Sequence, residues 1–432
     1  MFSTQKKYLK FGSVLFLFFS IYMLGYHVPK NNFSQEVAFF SIGCFGLWMF
    51  MKYDFPNSFL IGLLLRLILI VSVPILSDEY IRFLWDGYLT GDAINPFHFK
   101  PIELSSLADH SEIANILYSD LENKNKLTKS PPLNQWIFYF SSLTQSKTGG
   151  IILLRIILIG FEIGTYLVLK KILTRYKIDI KKLSLYWLNP LVIIELTGNL
   201  YTEGVFIFFL LIALLNLSQM QDLKGGVLLS LAFCTKIMAI IFVPLLLLKG
   251  GKYRWKKLLI GFLPISILAF LPFLIGSNTS ELWHNIIAPV NKNTFNSISF
   301  DFINTMEIHL FKTEKNHLIE YILFIILAII TTLISWQFRH RNRKVIFTGL
   351  TLISSVCILF SPDVYPSLII IPLTLSLFSN LSYPLIWSGL VFLSYSWFDQ
   401  NLPIELKKTI IIIEYLLIFT IVLINRKKTF RV

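Results

Sequence analysis

Apolar runs of spanning or near-spanning length alternate with short polar connections along the whole chain. They lie at about 11–26, 36–52, 57–76, 149–169, 183–197, 203–219, 258–275, 318–337, 345–360, 366–379, 383–397 and 409–425. Against the roughly 20 residues a helix needs to cross a bilayer, this pattern predicts an all-α, polytopic membrane protein with about 12 spans. No stretch reads as a soluble domain and no internal repeat is visible, so residues 1–432 are expected to form one membrane unit.

Lysine and arginine collect between the runs and set an orientation. The clusters are Lys6, Lys7 and Lys10; Lys170, Lys171, Arg175, Lys177, Lys181 and Lys182; Lys249, Lys252, Arg254, Lys256 and Lys257; Arg339, Arg341, Arg343 and Lys344; and Arg426, Lys427, Lys428 and Arg431. Placed in the cytoplasm, they put both termini inside. The chain must then leave the cytoplasm and return within 225–248, about 24 residues, which is too short for two full spans. A pair of short or re-entrant helices is predicted there, Val227–Thr235 and Ile237–Leu248, meeting near Lys236 deep on the outer side; such breaks are tolerated where they line a protein cavity. The large external connections are 77–148 and 276–317, long enough for a structured cap, with Trp136–Leu143 as a candidate interfacial helix.

Composition agrees with this class. Hydrophobic residues make up 55% and charged residues 15% of the chain, where soluble proteins carry roughly 25% charged. The net charge of +14 falls in the clusters above and is read as topology, with no nucleic-acid partner expected. Cys44, Cys234 and Cys357 all lie inside apolar runs, which suggests neither disulfides nor a thiolate metal site. Met1–Lys10 and the run that follows resemble a signal peptide, but Tyr22–Pro29 offers no small-residue cleavage site, so a retained first helix is expected.

Candidate chemistry gathers at the outer breaks. Ser77-Asp78-Glu79-Tyr80-Ile81-Arg82-Phe83-Leu84-Trp85-Asp86-Gly87 begins where a long apolar run stops. A carboxylate half desolvated at a membrane surface is a useful proton acceptor, although a solvated exit loop is the plainer reading. Glu203, Lys236 and Asp363 also sit beside breaks, Asp363 between two prolines in Ser361-Pro362-Asp363-Val364-Tyr365-Pro366. Arg66, Arg155, Glu162, Glu195 and Glu414 lie within apolar runs, where charge needs a partner; Arg155 and Glu162, seven residues apart, suit a structural pair. There is no Asp-x-Asp, no phosphate-binding Gly-rich loop and no zinc spacing, so neither metal nor cofactor is expected.

The ordered blocks then resemble a known superfamily. Ser77 to Gly87 continues to Ile94-Asn95-Pro96-Phe97, Ser130-Pro131-Pro132-Leu133, Leu188-Asn189-Pro190-Leu191, Gly198-Asn199-Leu200-Tyr201-Thr202-Glu203-Gly204, Thr235-Lys236 and the Ser361–Pro366 segment. This order resembles the GT-C glycosyltransferases, in particular bacterial polyprenyl-phosphate-mannose-dependent mannosyltransferases. The resemblance implies a multi-span fold in the bacterial inner (cytoplasmic) membrane, an active site on the external side, a polyprenyl-phosphate sugar donor and inverting transfer. On this chain it makes Asp78 the catalytic base, with Glu79 at the second acidic position. Tyr201 and Tyr365 stand where relatives commonly show His, a departure that bears on the acceptor or on turnover, since Tyr cannot carry a proton near neutral pH.

The expected activity is transfer of a sugar, mannose first, to a lipid-linked or cell-envelope glycan acceptor. Lys236 or Arg82 would neutralise the departing lipid phosphate, and Tyr80 and Trp85 would stack on sugar rings, with interfacial anchoring as the alternative for Trp85. Asp86, Asn199, Tyr201, Glu203, Asp363 and Tyr365 are the further substrate-contact candidates. Two alternatives stay open: a transporter or flippase for lipid-linked sugars, and a transferase for another lipid-phosphate sugar.

Overall fold

The computed structural model describes residues 2–53, 57–109, 111–275, 295–300, 318–339 and 343–429. Most of the predicted outer connection 276–317 therefore lies outside the described residues. Among those described, secondary structure is helical throughout, apart from one isolated bridge between Phe295 and Asp363.

The chain opens with two long apolar helices, α1 (Phe2–Tyr26) and α2 (Phe33–Tyr53), packed as a hairpin around a polar turn. The third apolar run was expected to continue to residue 76, but its helix, α3 (Ser58–Leu67), stops early. Val71, Val73 and Pro74 explain the stop: β-branched residues fit helices less well, and a proline lacks the N–H needed to continue one.

The segment 77–142 forms the structured cap its length suggested, with a helix at the expected Trp136–Leu143 position and two further helices where no helix was read. It contains α4 (Glu79–Gly91), α5 (Glu112–Asp120) and α6 (Pro132–Ser142). Ser111 caps α5 by accepting the Ala114 N–H at 3.1 Å, and Pro132 opens α6 in a position where its missing donor costs nothing. Helices α4 and α6 meet at Gly87, where a Cβ would lie 2.2 Å from the Phe138 carbonyl oxygen. Phe83 and Phe138 stack beside it with ring centroids 4.6 Å apart.

A 29-residue helix, α7 (Lys147–Arg175), packs beneath the cap and carries two of the buried charges of the core, Arg155 and Glu162. The run predicted over 183–197 is broken into Ser184–Trp187, Pro190–Val192 and a π turn at Ile193–Gly198, then bends by 113° into α8 (Glu203–Ser218). Next come α9 (Asp222–Thr235), Lys236 in an extended conformation, a 3₁₀ segment Ile237–Phe242 and α10 (Val243–Leu274). The break at Lys236 falls where the charge alternation required one. The flanking helices are longer than expected, and the 249–257 stretch, read as a connection, lies within continuous helix. Helices α9 and α10 approach closely because Gly226 and Gly261 face each other's partner backbone. The chain ends with α11 (Leu318–Phe338), α12 (Arg343–Leu359), α13 (Pro366–Ser376), α14 (Tyr383–Leu390) and α15 (Ile404–Thr429).

Among the described residues, four helical stretches are long and apolar enough to cross a bilayer: Tyr8–Tyr26, Phe33–Tyr53, Lys147–Arg175 and Arg254–Leu274. The bent pair Pro190–Gly198 and Glu203–Ser218 adds a fifth if counted as one span. This falls short of the twelve read from the apolar runs, since breaks such as Pro74 and the π turn interrupt runs whose hydropathy is continuous. Leu268, Leu333 and Phe419 are more than half exposed, as lipid-facing side chains are.

Candidate active site

Where the irregular segments converge, the protein encloses a cavity of about 610 Å³. Pockets of roughly 300–1,000 Å³ suit small-molecule ligands. Its wall brings together Asp78, Glu79, Arg82, Tyr201, Glu203, Lys236 and Tyr365, drawn from positions up to 287 residues apart in sequence.

Helix α4 explains how the acidic pair reaches the cavity. Asp78 is its N-cap position and Glu79 its first residue, and Arg82 follows one turn on, so Glu79 and Arg82 share the cavity-facing side. Tyr80 and Trp85 lie on the other side, 4% and 0% exposed, while Asp86, one turn beyond Arg82 on the same side, is 0% exposed; none of the three lines the cavity. Trp85 packs in the cap's apolar core, so the structure does not bring it to a substrate as the stacking expectation required. Asp86 instead holds Arg82: it accepts the Arg82 Nε–H on Oδ1 at 2.8 Å, while Oδ2 takes the Thr128 hydroxyl and Gln135 Nε2–H at 3.3 Å. Arg82 also donates to the Lys126 carbonyl, and its Nη2 has no partner among the described residues.

Asp78 is ion-paired with Lys30, from the α1–α2 turn. Glu79 makes no such pair among the described residues and is exposed at the cavity wall. Desolvation by the surrounding protein pushes its carboxyl above the ordinary glutamate range, opposed by Arg82 and Lys129. Asp363 is raised by burial in the same way, opposed chiefly by Lys129. It forms the bridge with Phe295 and does not itself line the cavity. Burial also pushes the neighbouring Tyr365 phenol up, so it stays protonated and can donate a hydrogen bond.

The opposite wall is built from the broken helices. Lys236, freed by the break between α9 and the 3₁₀ segment, is ion-paired with Glu203 in the first turn of α8. Tyr201 shares a hydrogen bond with Ser77 at 3.1 Å, joining the two walls. Asn199 does not line the cavity; it donates to the Tyr395 hydroxyl at 3.0 Å, which in turn donates to Glu195 at 2.7 Å. Leu200 sits between them with φ 65°, left-handed geometry that a leucine adopts only at a cost of about 1 kcal/mol or more.

Beneath this wall, Arg155 fixes the irregular backbone. It donates to the carbonyls of Ile70 and Ser72, both at 2.7 Å, Thr197 at 2.8 Å and Gly198 at 3.2 Å, groups that α3 and the π turn leave unpaired. Its expected pairing with Glu162 is not formed. Glu162 binds Arg66 at 2.7 Å, and Arg66 lies 3.7 Å over the Trp187 ring.

Among the lining residues outside the sequence reading of the site are Lys30, Glu122, Lys126, Lys129 and Tyr395, while Glu195, noted as a charge within an apolar run, does line the cavity. Lys129 adjoins the Ser130-Pro131-Pro132 block, a signal that was available. Nothing in the sequence around Lys30 marks it. Among the described residues no group of three or more His, Cys, Asp or Glu is placed to hold a metal ion.

Residues 131–362, more than half of the chain, match the family model for Glycosyltransferase family 87, of the GT-C type. The match covers the Tyr201–Glu203 and Lys236 wall and begins after the Asp78–Glu79 segment. No curated protein matches the chain.

Proposed function

Since the chain belongs to glycosyltransferase family 87, we propose that it moves a sugar from a polyprenyl-phosphate donor to a hydroxyl of a lipid-linked or cell-envelope glycan. Mannose is the sugar proposed first. Membership favours a transferase over the flippase reading. The proposed setting is the bacterial inner membrane, with both termini cytoplasmic and the cavity opening on the external side.

One observation carries the reading: two adjacent carboxylates, Asp78 and Glu79, share a cavity with the cations Arg82, Lys129 and Lys236. Breaking a sugar–phosphate bond leaves negative charge on the departing phosphate, and forming the new bond releases a proton from the acceptor. In the proposed step Asp78 accepts that proton while the acceptor oxygen bonds to the anomeric carbon from the face opposite the phosphate. The bonding pair of the sugar–phosphate bond leaves with the phosphate, so configuration inverts. Arg82, oriented by Asp86, brings its guanidinium charge to the phosphate, with Lys129 and Lys236 adding positive charge. Glu203, Tyr201 and Tyr365 provide hydrogen-bonding groups for sugar hydroxyls. A positioned base of this kind contributes roughly 10²–10⁴ in rate.

The test is transfer by purified protein in lipid, with polyprenyl-phosphate-mannose and GDP-mannose offered separately. The proposal expects incorporation from the lipid donor alone. Incorporation from the nucleotide donor without a lipid intermediate would overturn the donor assignment.

A further inference from the structure

Lys30 is placed against the proposed base, and the reaction as written gives it nothing to do. It comes from the turn between α1 and α2, lines the cavity, pairs with Asp78 Oδ2 and stands 3.6 Å from Glu122 Oε1. A carboxylate oxygen in contact with an ammonium has that lone pair occupied and cannot receive a hydroxyl proton on it. In this structure, then, one of the two oxygens of the proposed base is capped.

Exposure shows whether the cap can be exchanged. The Lys30 and Asp78 side chains are 34% and 35% exposed, against 0% and 1% for the Arg66–Glu162 pair in the core. Ion pairs as wet as the first are worth at most a few-fold in equilibrium, whereas separating a buried pair strands a charge. A phosphate entering the cavity is therefore a credible competitor for Lys30. Glu122, across from Asp78, keeps the ammonium at the cavity wall during the exchange. The other charges on that wall are Glu79, Arg82, Lys126 and Lys129.

We propose that Lys30 is a positioning residue: it caps Asp78 while the donor site is empty, and the donor's phosphate draws it away, so that the base is released only when donor is present. No covalent bond changes in this exchange; the ammonium trades one anion for another. The proposal rests on the lipid-phosphate donor reading above.

The experiment measures binding of undecaprenyl phosphate to the full-length protein in nanodiscs, alongside sugar transfer from the polyprenyl-phosphate donor. In the wild type the phosphate must displace Asp78 to reach Lys30, so Asp78→Asn should tighten binding about threefold and Lys30→Met should weaken it about threefold. The double variant should match Lys30→Met, because the coupling is gone. Lys30→Arg should restore affinity and transfer. A structural cross-link alone would not make Asp78→Asn bind more tightly. Unchanged or weaker binding by Asp78→Asn, or unchanged binding by Lys30→Met, in variants that melt with the wild type, overturns the role of Lys30. A wild type that neither binds undecaprenyl phosphate nor transfers from the lipid donor overturns the donor reading instead, and this proposal with it.

Discussion

Arg82 donates its Nε–H to Asp86 Oδ1 at 2.8 Å across one turn of α4, from a position on the cavity wall to one that is completely buried. The carboxylate thus orients a guanidinium it never accompanies into the cavity. Asp86→Ala should remove the acceptor that Arg82 Nε and the Thr128 hydroxyl share and lower stability by about 3 kcal/mol. In protein that remains folded, KM for the donor should rise more than kcat falls. Melting curves and steady-state kinetics check the two effects separately.

Arg155 concerns the floor of the same cavity. Arg155→Met removes the donors to four carbonyls in broken segments. Each buried carbonyl left unpaired costs about 1–3 kcal/mol, so a loss of at least about 3 kcal/mol is expected by thermal melting. Arg155→Lys should recover only part of it, because an ammonium cannot fork between two segments as a guanidinium does.

The raised carboxyls of Glu79 and Asp363 make a pH prediction. A group whose folded pKa lies above its unfolded value contributes stability that is fully present below the unfolded pKa and lost as pH rises through the folded one. The ordinary values are 4.5 for Glu79 and 3.8 for Asp363. Their contribution should therefore fade as pH climbs above that range. Glu79→Gln should flatten the decline, which melting temperatures across roughly pH 4 to 8 measure directly.

The α9–α10 contact positions Lys236 indirectly. A Cβ at Gly226 would lie 2.1 Å from the Leu258 carbonyl oxygen, and one at Gly261 would lie 2.3 Å from that of Leu223. Backbone cannot yield there as a side chain can. Gly226→Ala should destabilise by about 1–3 kcal/mol. It should also reduce transfer by shifting the helix that ends at Lys236, while Gly160→Ala, with open space around its Cβ, should do neither.

Which parts of this were legible in sequence follows from what each signal encodes. The break at Lys236 could be read because a charge alternation with a 24-residue gap leaves few alternatives. Asp78, Glu203 and Lys236 could be gathered into one candidate site because each adjoins an interruption of an apolar run. The sidedness of α4 was lost because its segment was read as loop, and in a loop Tyr80 and Trp85 have no reason to turn away from Glu79 and Arg82. The Arg66–Glu162 pair joins residues 96 apart, so helical spacing pointed to Arg155 instead. Lys30 reaches Asp78 from 48 residues upstream in a turn without a motif, a contact that only the packing of α1 and α2 against the cap creates.

The most direct measurement is the rate of sugar transfer from polyprenyl-phosphate donor by purified Asp78→Asn protein, beside its melting temperature. The amide keeps the shape of the carboxylate and loses its basicity. Transfer should fall by roughly 10²-fold or more while melting stays at the wild-type value. Wild-type turnover by Asp78→Asn would contradict the assignment of this carboxylate as the base.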